Sequence, residues 1–397
     1  MTAPIKLAIL GSTGSIGQNT LDVVAGNEAF VVYALSAHQN LELLLQQCLQ
    51  FRPEVVVVSA ADKAPQMREL LKEHDCATEV LAGPEALCTI AEAESVDVVM
   101  AAIVGAAGLA SSMAAVEAGK RILLANKEAL VMSGELFTES AARNGAEIVP
   151  IDSEHNAVFQ CLPRSTTDAA GSNLNAVSKI VLTASGGPFL HTPVSQLLGV
   201  TPEQACRHPK WSMGRKISVD SATMMNKGLE FIEACYLFAV GPEQVEVLIH
   251  PQSIVHSMVH YCDGSVLAQL GNPDMRIPIA YGLSFPARMP SGAAQLDLAS
   301  SEALEFLEPD LDRFPCLQLG MQAAEQGGTA PTLLNAANEV AVEAFLDNQL
   351  GFTRIPSIIA AVLSKIPCEP AASLAIIQDS DSRARNLAKE LIIKEFH

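Results

Sequence analysis

Ile5-Lys6-Leu7-Ala8-Ile9-Leu10-Gly11-Ser12-Thr13-Gly14-Ser15-Ile16-Gly17 is the stretch that decides the fold. Residues 5–10 are apolar but for one lysine and do not alternate, the pattern of a strand buried on both faces of a parallel sheet. Glycines at 11, 14 and 17 follow at once, and Leu21, Val23 and Val24 continue as a helix. Strand, glycine turn and helix in that order expose backbone N–H groups at a helix N-terminus, where the pyrophosphate of a dinucleotide binds. The spacing is G-x-x-G-x-x-G, not the commoner G-x-G-x-x-G, so a plain tight turn is the competing reading of these residues alone.

Working outward, residues 30–35, 55–58, 97–104 and 121–125 read as further strands, with helical stretches such as 41–50 between them. Strand and helix alternating over about 150 residues describe a doubly wound parallel sheet. The second strand exits into Ser36-Ala37-His38-Gln39-Asn40, with no Asp or Glu to bind ribose hydroxyls. That absence favours NADP over NAD, because nothing there repels a 2′-phosphate. His38 and Asn40 can donate hydrogen bonds to such a phosphate; an ordinary polar strand exit is the other reading. The fourth of these strands runs into Asn126-Lys127-Glu128, at the carboxyl edge where ligands bind in this architecture. Lys127 is a candidate site charge there, with a solvated helix start as the alternative.

Asp152 and Glu154 follow the apolar residues Ile148, Val149 and Ile151. In an extended segment, side chains at i and i+2 share a side, so the two carboxylates can converge on a hard divalent cation such as Mg²⁺ or Mn²⁺. For an isolated pair a polar turn closing a strand is the better reading; the glycine turn upstream and the lysine-bearing polar stretch downstream change that. Residues 163–178 read as a surface loop and 179–183 as a strand delivering Ser185-Gly186-Gly187, a segment able to wrap an anion. Residues 188–216 carry four prolines and few apolar repeats, the composition of a flap, and hold His208, Trp211, Met213 and Gly214. Ser221, Asn226 and Lys227 suit a phosphate. Glu230, three residues beyond Lys227, shares its helical face and offers a third carboxylate. An exposed helix with an ion pair is the bland reading, and it explains poorly why Met224, Met225, Leu229, Phe231 and Ile232 surround these polar groups.

Residues 245–270 are patterned as strands with a hairpin turn at Asp263-Gly264, long enough to pair with another subunit. His250, His256 and His260 are spaced by six and four, which does not put all three on one metal in a strand, and they read as structural. Residues 286–315 read as a linker, and 316–326, 332–346 and 384–392 as helices of a small bundle.

The net charge of −19 argues against nonspecific nucleic-acid binding and adsorption to anionic membrane, and it requires a local basic pocket for any anionic substrate. Nine cysteines without a C-x-x-C suggest reduced thiols and a cytoplasmic enzyme rather than a disulfide framework. The uncharged stretch 98–116 approaches bilayer-spanning length, but its glycines, serines and alanines fit a buried strand, turn and helix better.

Taken together, GSTGSIG (11–17), AAIVGAAGL (101–109), LLANKEALV (123–131), DSEHNAVFQ (152–160), ASGGPF (184–189), ACRHPKWSMGRKISVDSATMMNKGLE (205–230), LIHPQSIVHSMV (248–259) and LNAANE (334–339) resemble the 1-deoxy-D-xylulose 5-phosphate reductoisomerase family over essentially the whole chain. The resemblance implies an α/β fold: an N-terminal Rossmann-like NADPH-binding domain (1–150), a central α+β catalytic domain (151–285) with a flap (186–216), the linker (286–315) and a C-terminal α-helical domain (316–397). It implies a homodimer using NADPH and a divalent metal (Mg, Mn or Co) to turn 1-deoxy-D-xylulose 5-phosphate into 2-C-methyl-D-erythritol 4-phosphate. Carried over by position, the metal ligands are Asp152, Glu154 and Glu230. Substrate contacts are Lys127, Ser153, Glu154, Ser185, His208, Ser221, Asn226, Lys227 and Glu230, with Trp211 on the flap. Cofactor contacts are Thr13, Gly14, Ser15, Ile16, Asn40, Asn126, Glu128, Met213 and Gly214, with His38 and Gln39 standing where some members carry Gly-Lys. A plain NADP-dependent dehydrogenase of a phosphorylated sugar and a nucleotide-sensing regulatory protein are the alternatives. Neither needs three carboxylates beside a phosphate pocket.

Overall fold

The strand at residues 5–10 lies at the centre of its sheet, with Leu7, Ala8 and Ile9 fully buried. In the computed structural model, which describes residues 3–163, 174–208, 211 and 214–395, β1 (Ile5–Leu10), β2 (Phe30–Ala37), β3 (Val55–Val58), β4 (Glu79–Ala82), β5 (Val98–Ala101), β6 (Arg121–Leu124) and β7 (Glu147–Pro150) form one sheet. Its order is β4-β3-β2-β1-β5-β6-β7, and every pair is parallel. The winding reverses at β1, so the switch-point crevice opens beyond its carboxyl end, where the glycine turn stands. Gly17 is required there: a Cβ would lie 2.4 Å from the Ser12 Cα. β4 is absent from the sequence expectation because it is a short edge strand with only Val80 buried. The apolar stretch 98–116 resolves into β5 and the helix Leu109–Glu117. No helix of the described residues is long and apolar enough to cross a membrane.

This sheet belongs to the first of two units, made of Met1–Ala129, Phe137–Asp152 and Asp274–Ala293. The last segment differs from the expected boundaries. Its helix Arg276–Ser284 sits so close to the sheet that a Cβ on Gly282 would lie 2.8 Å from the Ile151 side chain and 3.3 Å from that of Leu123. Tertiary packing of a small residue, invisible in local pattern, places the segment here.

The second unit comprises Leu130–Leu136, Ser153–Pro273 and Ala294–His397. Its sheet contains β8 (Val177–Ala184), β9 (Val245–Ile249), β10 (Val255–Tyr261) and β11 (Val266–Leu270) in the order β11-β10-β8-β9. β10 is antiparallel to β8 and β11, and β9 is parallel to β8. The expected hairpin at Asp263-Gly264 joins β10 to β11, with Gly264 at φ +88. Most of the loop expected at 163–178 lies outside the described residues.

One face of this sheet (Ile180, Leu182, Val247, Val259) packs against Phe231 and Ala234 of the helix Met225–Leu237 and against Phe314 and Leu317. The helices Pro315–Gln326, Ala330–Leu346, Ile355–Lys365 and Leu374–Glu395 share a core with Val219 and Leu229. The central and C-terminal segments therefore pack as one unit. The helix Ala330–Leu346 buries most of its circumference, including Asn335 and Asn338, as a helix surrounded by partners must. The expected linker divides: it follows the first unit to Ala293 and the second from Ala294, where Leu307 bridges Ile249.

Candidate active site

In the first unit the glycine turn is held from below. Ser36 Oγ accepts from the Gly11 N–H at 2.8 Å. The Ser12 hydroxyl donates to Gln47 Oε1 at 2.7 Å, and Gln47 Nε2 donates to the Ser12 carbonyl at 2.8 Å. Ser12, Ser36 and Gln47 are all buried, whereas Gly14 and Ser15 at the crest are exposed and Thr13 and Ile16 half-exposed. The crest of the turn, Thr13 to Ile16, thus stands accessible on a fixed base at the start of a helix, where an anion can bind. Gln47 had no signal in the sequence, since 35 residues separate it from Ser12.

Three cofactor candidates from the sequence are used locally. Asn40 caps the helix Leu41–Phe51, its Oδ1 accepting from the Leu43 N–H at 3.2 Å. Asn126 caps the helix Lys127–Asn144, its Oδ1 accepting from the Ala129 N–H at 2.9 Å, while its amide donates to the carbonyls of Ile103 and Gly105. That buried side chain braces the loop after β5 rather than facing outward. Glu128 is buried on the same first turn. Gly214 caps the helix Arg215–Ala222, and Met213 lies outside the described residues.

Lys127 and Asp152 leave the carboxyl ends of the neighbouring strands β6 and β7 and form an ion pair, with side chains only 6% and 13% exposed. The geometry around Asp152 and Glu154 corrects the expectation of an extended pair. β7 ends at Pro150 and a helix, Ser153–Cys161, begins directly after Asp152, so Glu154 occupies a first helical turn. A carboxylate there is favoured by the helix dipole.

In the second unit, Lys227 Nζ lies 2.7 Å from Glu154 Oε1 and also pairs with Glu230 Oε2. Lys227 and Glu230 share a face of the helix Met225–Leu237 at the expected spacing of three and are nearly fully buried. Asn226 donates to Glu230 Oε1 at 2.5 Å, and Ser153 donates to Glu154 Oε2 at 2.5 Å. The expectation that Asn226 and Lys227 serve a phosphate meets a different arrangement here, in which both hold carboxylates. Below them lies a pair that the sequence reading passed over. His155 Nε2 is 2.9 Å from the Glu230 carbonyl, which can only accept, so this nitrogen carries the proton. Its Nδ1 is 3.5 Å from Glu233 Oε2, and both residues are fully buried. The spacing of three from Glu230 to Glu233 was the available signal.

Ser185, His208 and Ser221 gather in the same unit. Ser185 Oγ is 2.9 Å from His208 Nε2 and accepts from the Gly187 N–H at 3.1 Å. Gly187 adopts φ +68 and passes so near Ser221 that a Cβ would lie 2.6 Å from its carbonyl. His208 Nδ1 accepts from the Trp211 N–H at 2.9 Å. Burial pushes the imidazole down to about 4, so it stays neutral and donates through Nε2 to Ser185. Trp211 in turn lies over His256, their rings 6.2 Å apart. Burial also pushes His256 down to about 4, which agrees with a structural role. His250, stacked on Phe306 and bonded to the Glu305 carbonyl, is structural as well.

A parallel sheet presenting a glycine turn at its switch point is the architecture of the dinucleotide-dependent oxidoreductases, and the chain falls in that class. Comparison with known proteins narrows it. Residues 7–134 match the model described as 1-deoxy-D-xylulose 5-phosphate reductoisomerase, and residues 148–238 and 270–387 match two C-terminal domain models of the same enzyme. The chain belongs to the 1-deoxy-D-xylulose 5-phosphate reductoisomerase family. It is 56% identical to the enzyme of that name from Cellvibrio japonicus over 99% of this chain and 100% of the relative. It is 58% identical to that from Paraburkholderia xenovorans over 98% and 96%. Among solved structures it is similar to a DOX-P reductoisomerase in complex with NADPH, fosmidomycin and magnesium (TM-score 0.92, 46% identity, 98% of each chain). It is also similar to the Zymomonas mobilis enzyme in complex with NADPH (TM-score 0.90, 43% identity, 98% and 99%). The chain is thus an enzyme, a reductase and isomerase of 1-deoxy-D-xylulose 5-phosphate.

Proposed function

We propose that the chain runs this reaction with NADPH and one divalent cation, and that Asp152, Glu154 and Glu230 hold the cation. The observation carrying the reading is the pairing of Glu154 and Glu230, 76 residues apart in sequence, around Lys227. They offer carboxylate oxygens within 4.8 Å of one another, and Asp152 stands two residues before Glu154 in the chain. All three donors are hard oxygens, the set that Mg²⁺ and Mn²⁺ favour and Co²⁺ accepts. The exposed crest of the glycine turn suits a pyrophosphate, and no acidic side chain ends β2, which suits NADPH.

A bound divalent cation supplies Lewis-acid charge to the carbonyl and hydroxyl oxygens of the substrate while its carbon skeleton rearranges. NADPH, when bound, supplies the hydride that reduces the aldehyde product of that rearrangement. The chain's own residues do the rest. Lys127, held by Asp152, brings positive charge to the carboxyl edge of the sheet. The Ser185 and Ser221 hydroxyls and the Gly186-Gly187 backbone suit the phosphate, with Asn226 and Lys227 at the carboxylate side. Neutral His208 fixes the Ser185 hydroxyl, and Trp211 caps the pocket from the flap. Phosphate binding far from the reacting carbons then favours closure and keeps the intermediate aldehyde from escaping.

The test is turnover of 1-deoxy-D-xylulose 5-phosphate by purified protein with NADPH and Mg²⁺. Loss of NADPH absorbance with a branched polyol phosphate supports the reading; a linear reduced sugar phosphate supports a plain dehydrogenase. Asp152→Asn should abolish turnover while NADPH binds as before, and full activity in that variant refutes the metal assignment. The exposed edge strand β11, with Val266 and Leu267 45% and 50% accessible, suits pairing with a second copy in a homodimer, which light scattering reads directly. Nine free cysteines suit a reducing cytoplasm.

A further inference from the structure

Asp220 is buried in the helix Arg215–Ala222, directly before Ser221 and four residues after Lys216, where the flap ends. Two side chains meet its carboxylate. Lys216 Nζ lies 2.9 Å from Oδ2, and Asn338 Nδ2 donates to Oδ1 at 2.8 Å. Asn338 comes from the helix Ala330–Leu346, 118 residues further along the chain. A carboxylate paired with an ammonium only accepts, so the amide nitrogen of Asn338 must face it. Asn338 is fully buried, and among the described residues its Oδ1 meets no hydrogen-bond donor. An orphaned buried acceptor destabilises a fold, and an apolar side chain of similar shape would avoid it. What Asn338 provides against that cost is the bond to Asp220. The start of the flap is tied to later parts of the chain as well. Arg313 donates to the carbonyls of Phe189 at 2.9 Å and Thr192 at 2.6 Å, and the Phe189 ring meets Phe352 edge-on at 5.3 Å.

We propose that Asn338 is a positioning residue for substrate binding: through Asp220 it fixes the helix Arg215–Ala222 and so holds the Ser221 hydroxyl where the substrate phosphate binds. The proposal rests on the reading of Ser185 and Ser221 as the phosphate side of the site. Gly187 passes so near the Ser221 carbonyl that a Cβ would lie 2.6 Å from it, so a shift of this helix also disturbs the Ser185–Gly187 turn. Two residues beyond Ser221 the chain turns, the Thr223 hydroxyl accepting from the Met225 N–H at 3.3 Å. It then enters the helix that carries Asn226, Lys227 and Glu230. One bond from the C-terminal helices therefore bears on both the phosphate side and the carboxylate side. Lys216 cannot do the same, because it lies on the same helix as Asp220 and gives that helix no outside anchor. Asn338 belongs to LNAANE (334–339), a stretch of the C-terminal helices whose pattern alone shows nothing of Asp220.

The experiment compares wild type, Asn338→Leu, Asn338→Ala, Asn338→Asp and the reversed pair Asn338→Asp with Asp220→Asn. Asn335→Ala is the control: Asn335 is equally buried in the same helix but bonds to Glu339, at 3.1 Å. Steady-state kinetics give kcat and KM for 1-deoxy-D-xylulose 5-phosphate, calorimetry gives the dissociation constant of NADPH, and circular dichroism reports folding. The leucine and alanine variants should raise KM about tenfold, with kcat within about threefold and NADPH binding within about twofold. Asn338→Asp sets two carboxylates together and should do worse, and the reversed pair should return KM to within about threefold of wild type. Asn335→Ala should leave KM within about twofold, whatever it does to the melting temperature. An unchanged KM in a folded leucine or alanine variant, an equal rise in Asn335→Ala, or no recovery in the reversed pair overturns the proposal. Loss of folding in both the leucine and alanine variants, against a folded Asn335→Ala, makes Asn338 a structural residue and overturns it too. Ser221→Ala tests the reading beneath. An unchanged KM there sinks the phosphate assignment and this proposal together, whereas a raised KM there with none in the Asn338 variants sinks the proposal alone.

Discussion

Lys227→Met isolates the charge balance of the carboxylate cluster. The substitution keeps the length and apolar stem of a side chain that is 3% exposed and deletes only the ammonium. At an effective dielectric of about 20, two unit charges 2.7 Å apart attract by roughly 6 kcal/mol. Part of that is offset by the cost of taking the lysine out of water. Deleting one partner of a buried pair leaves a net loss of about 3–5 kcal/mol, because the other charges stay behind without compensation. Here two carboxylates stay behind, Glu154 and the fully buried Glu230. For a unit of this size roughly 2–4 °C of melting temperature accompany each kcal/mol, so the variant should melt about 10 °C lower in EDTA. Adding Mg²⁺ should raise the variant more than the wild type, since the cation replaces a charge that the wild type already supplies. Lys227→Arg, which keeps the charge, should lose much less. The assay is scanning calorimetry with and without Mg²⁺. A variant melting within about 2 °C of wild type in EDTA, or equal stabilisation of both proteins by Mg²⁺, refutes the reasoning.

Three further outcomes are expected. His256, buried and held down to about 4 against an ordinary 6.5, takes its proton first in the unfolded chain. Its neutral burial therefore contributes stability above pH 6.5 that is lost as pH falls towards 4, on the order of 3 kcal/mol in total. Urea midpoints from pH 7 to 5 should show a shallower slope in His256→Asn, and parallel curves would count against it. Gln47→Leu leaves the buried Ser12 carbonyl without its 2.8 Å donor and should cost about 1–3 kcal/mol; KM for NADPH should rise with kcat nearly unchanged, as steady-state kinetics will show. Gly134 interrupts the helix Lys127–Asn144 at φ +40, and a Cβ there would lie 2.6 Å from the Tyr236 ring. Gly134→Ala should destabilise by roughly 2–4 kcal/mol, and by less in a Tyr236→Ala background, measured by urea unfolding of both.

What the sequence made legible was whatever is written locally. A non-alternating apolar strand, three glycines and a helix start lie within thirteen consecutive residues, and the structure has each of them in place. Lys227 and Glu230 share a face because helical spacing demands it. The harder parts depend on neighbours distant in the chain. Nothing near residue 47 announces that its amide will brace residue 12, and nothing near Asp220 announces Asn338. The helix beginning at Ser153 overrode an extended reading because two residues of apolar alternation cannot reveal where a strand stops. That Asn126 caps its helix at Ala129 and bonds to the carbonyls of Ile103 and Gly105 was not legible either, because two of those partners lie over twenty residues away.

Two buried lysines, Lys127 in the first unit and Lys227 in the second, set local positive charge against the acidity of the chain. Against 44 acidic residues the sequence has 25 basic ones. Among the described residues only Lys127 and Lys227 are buried basic side chains. A buried ammonium is tolerated when a carboxylate meets it, and each of these has one: Asp152 for Lys127, Glu154 and Glu230 for Lys227. The carboxylates therefore serve twice. They make burial of the lysines possible, and they are the oxygens a divalent cation would take. Under the proposed metal assignment, a cation at these oxygens competes with the ammonium groups that hold them. Metal affinity and lysine placement are then one coupled quantity. Substitutions at Lys227 should strengthen metal binding even as they damage turnover, a divergence that a residue serving only to fill space would not produce.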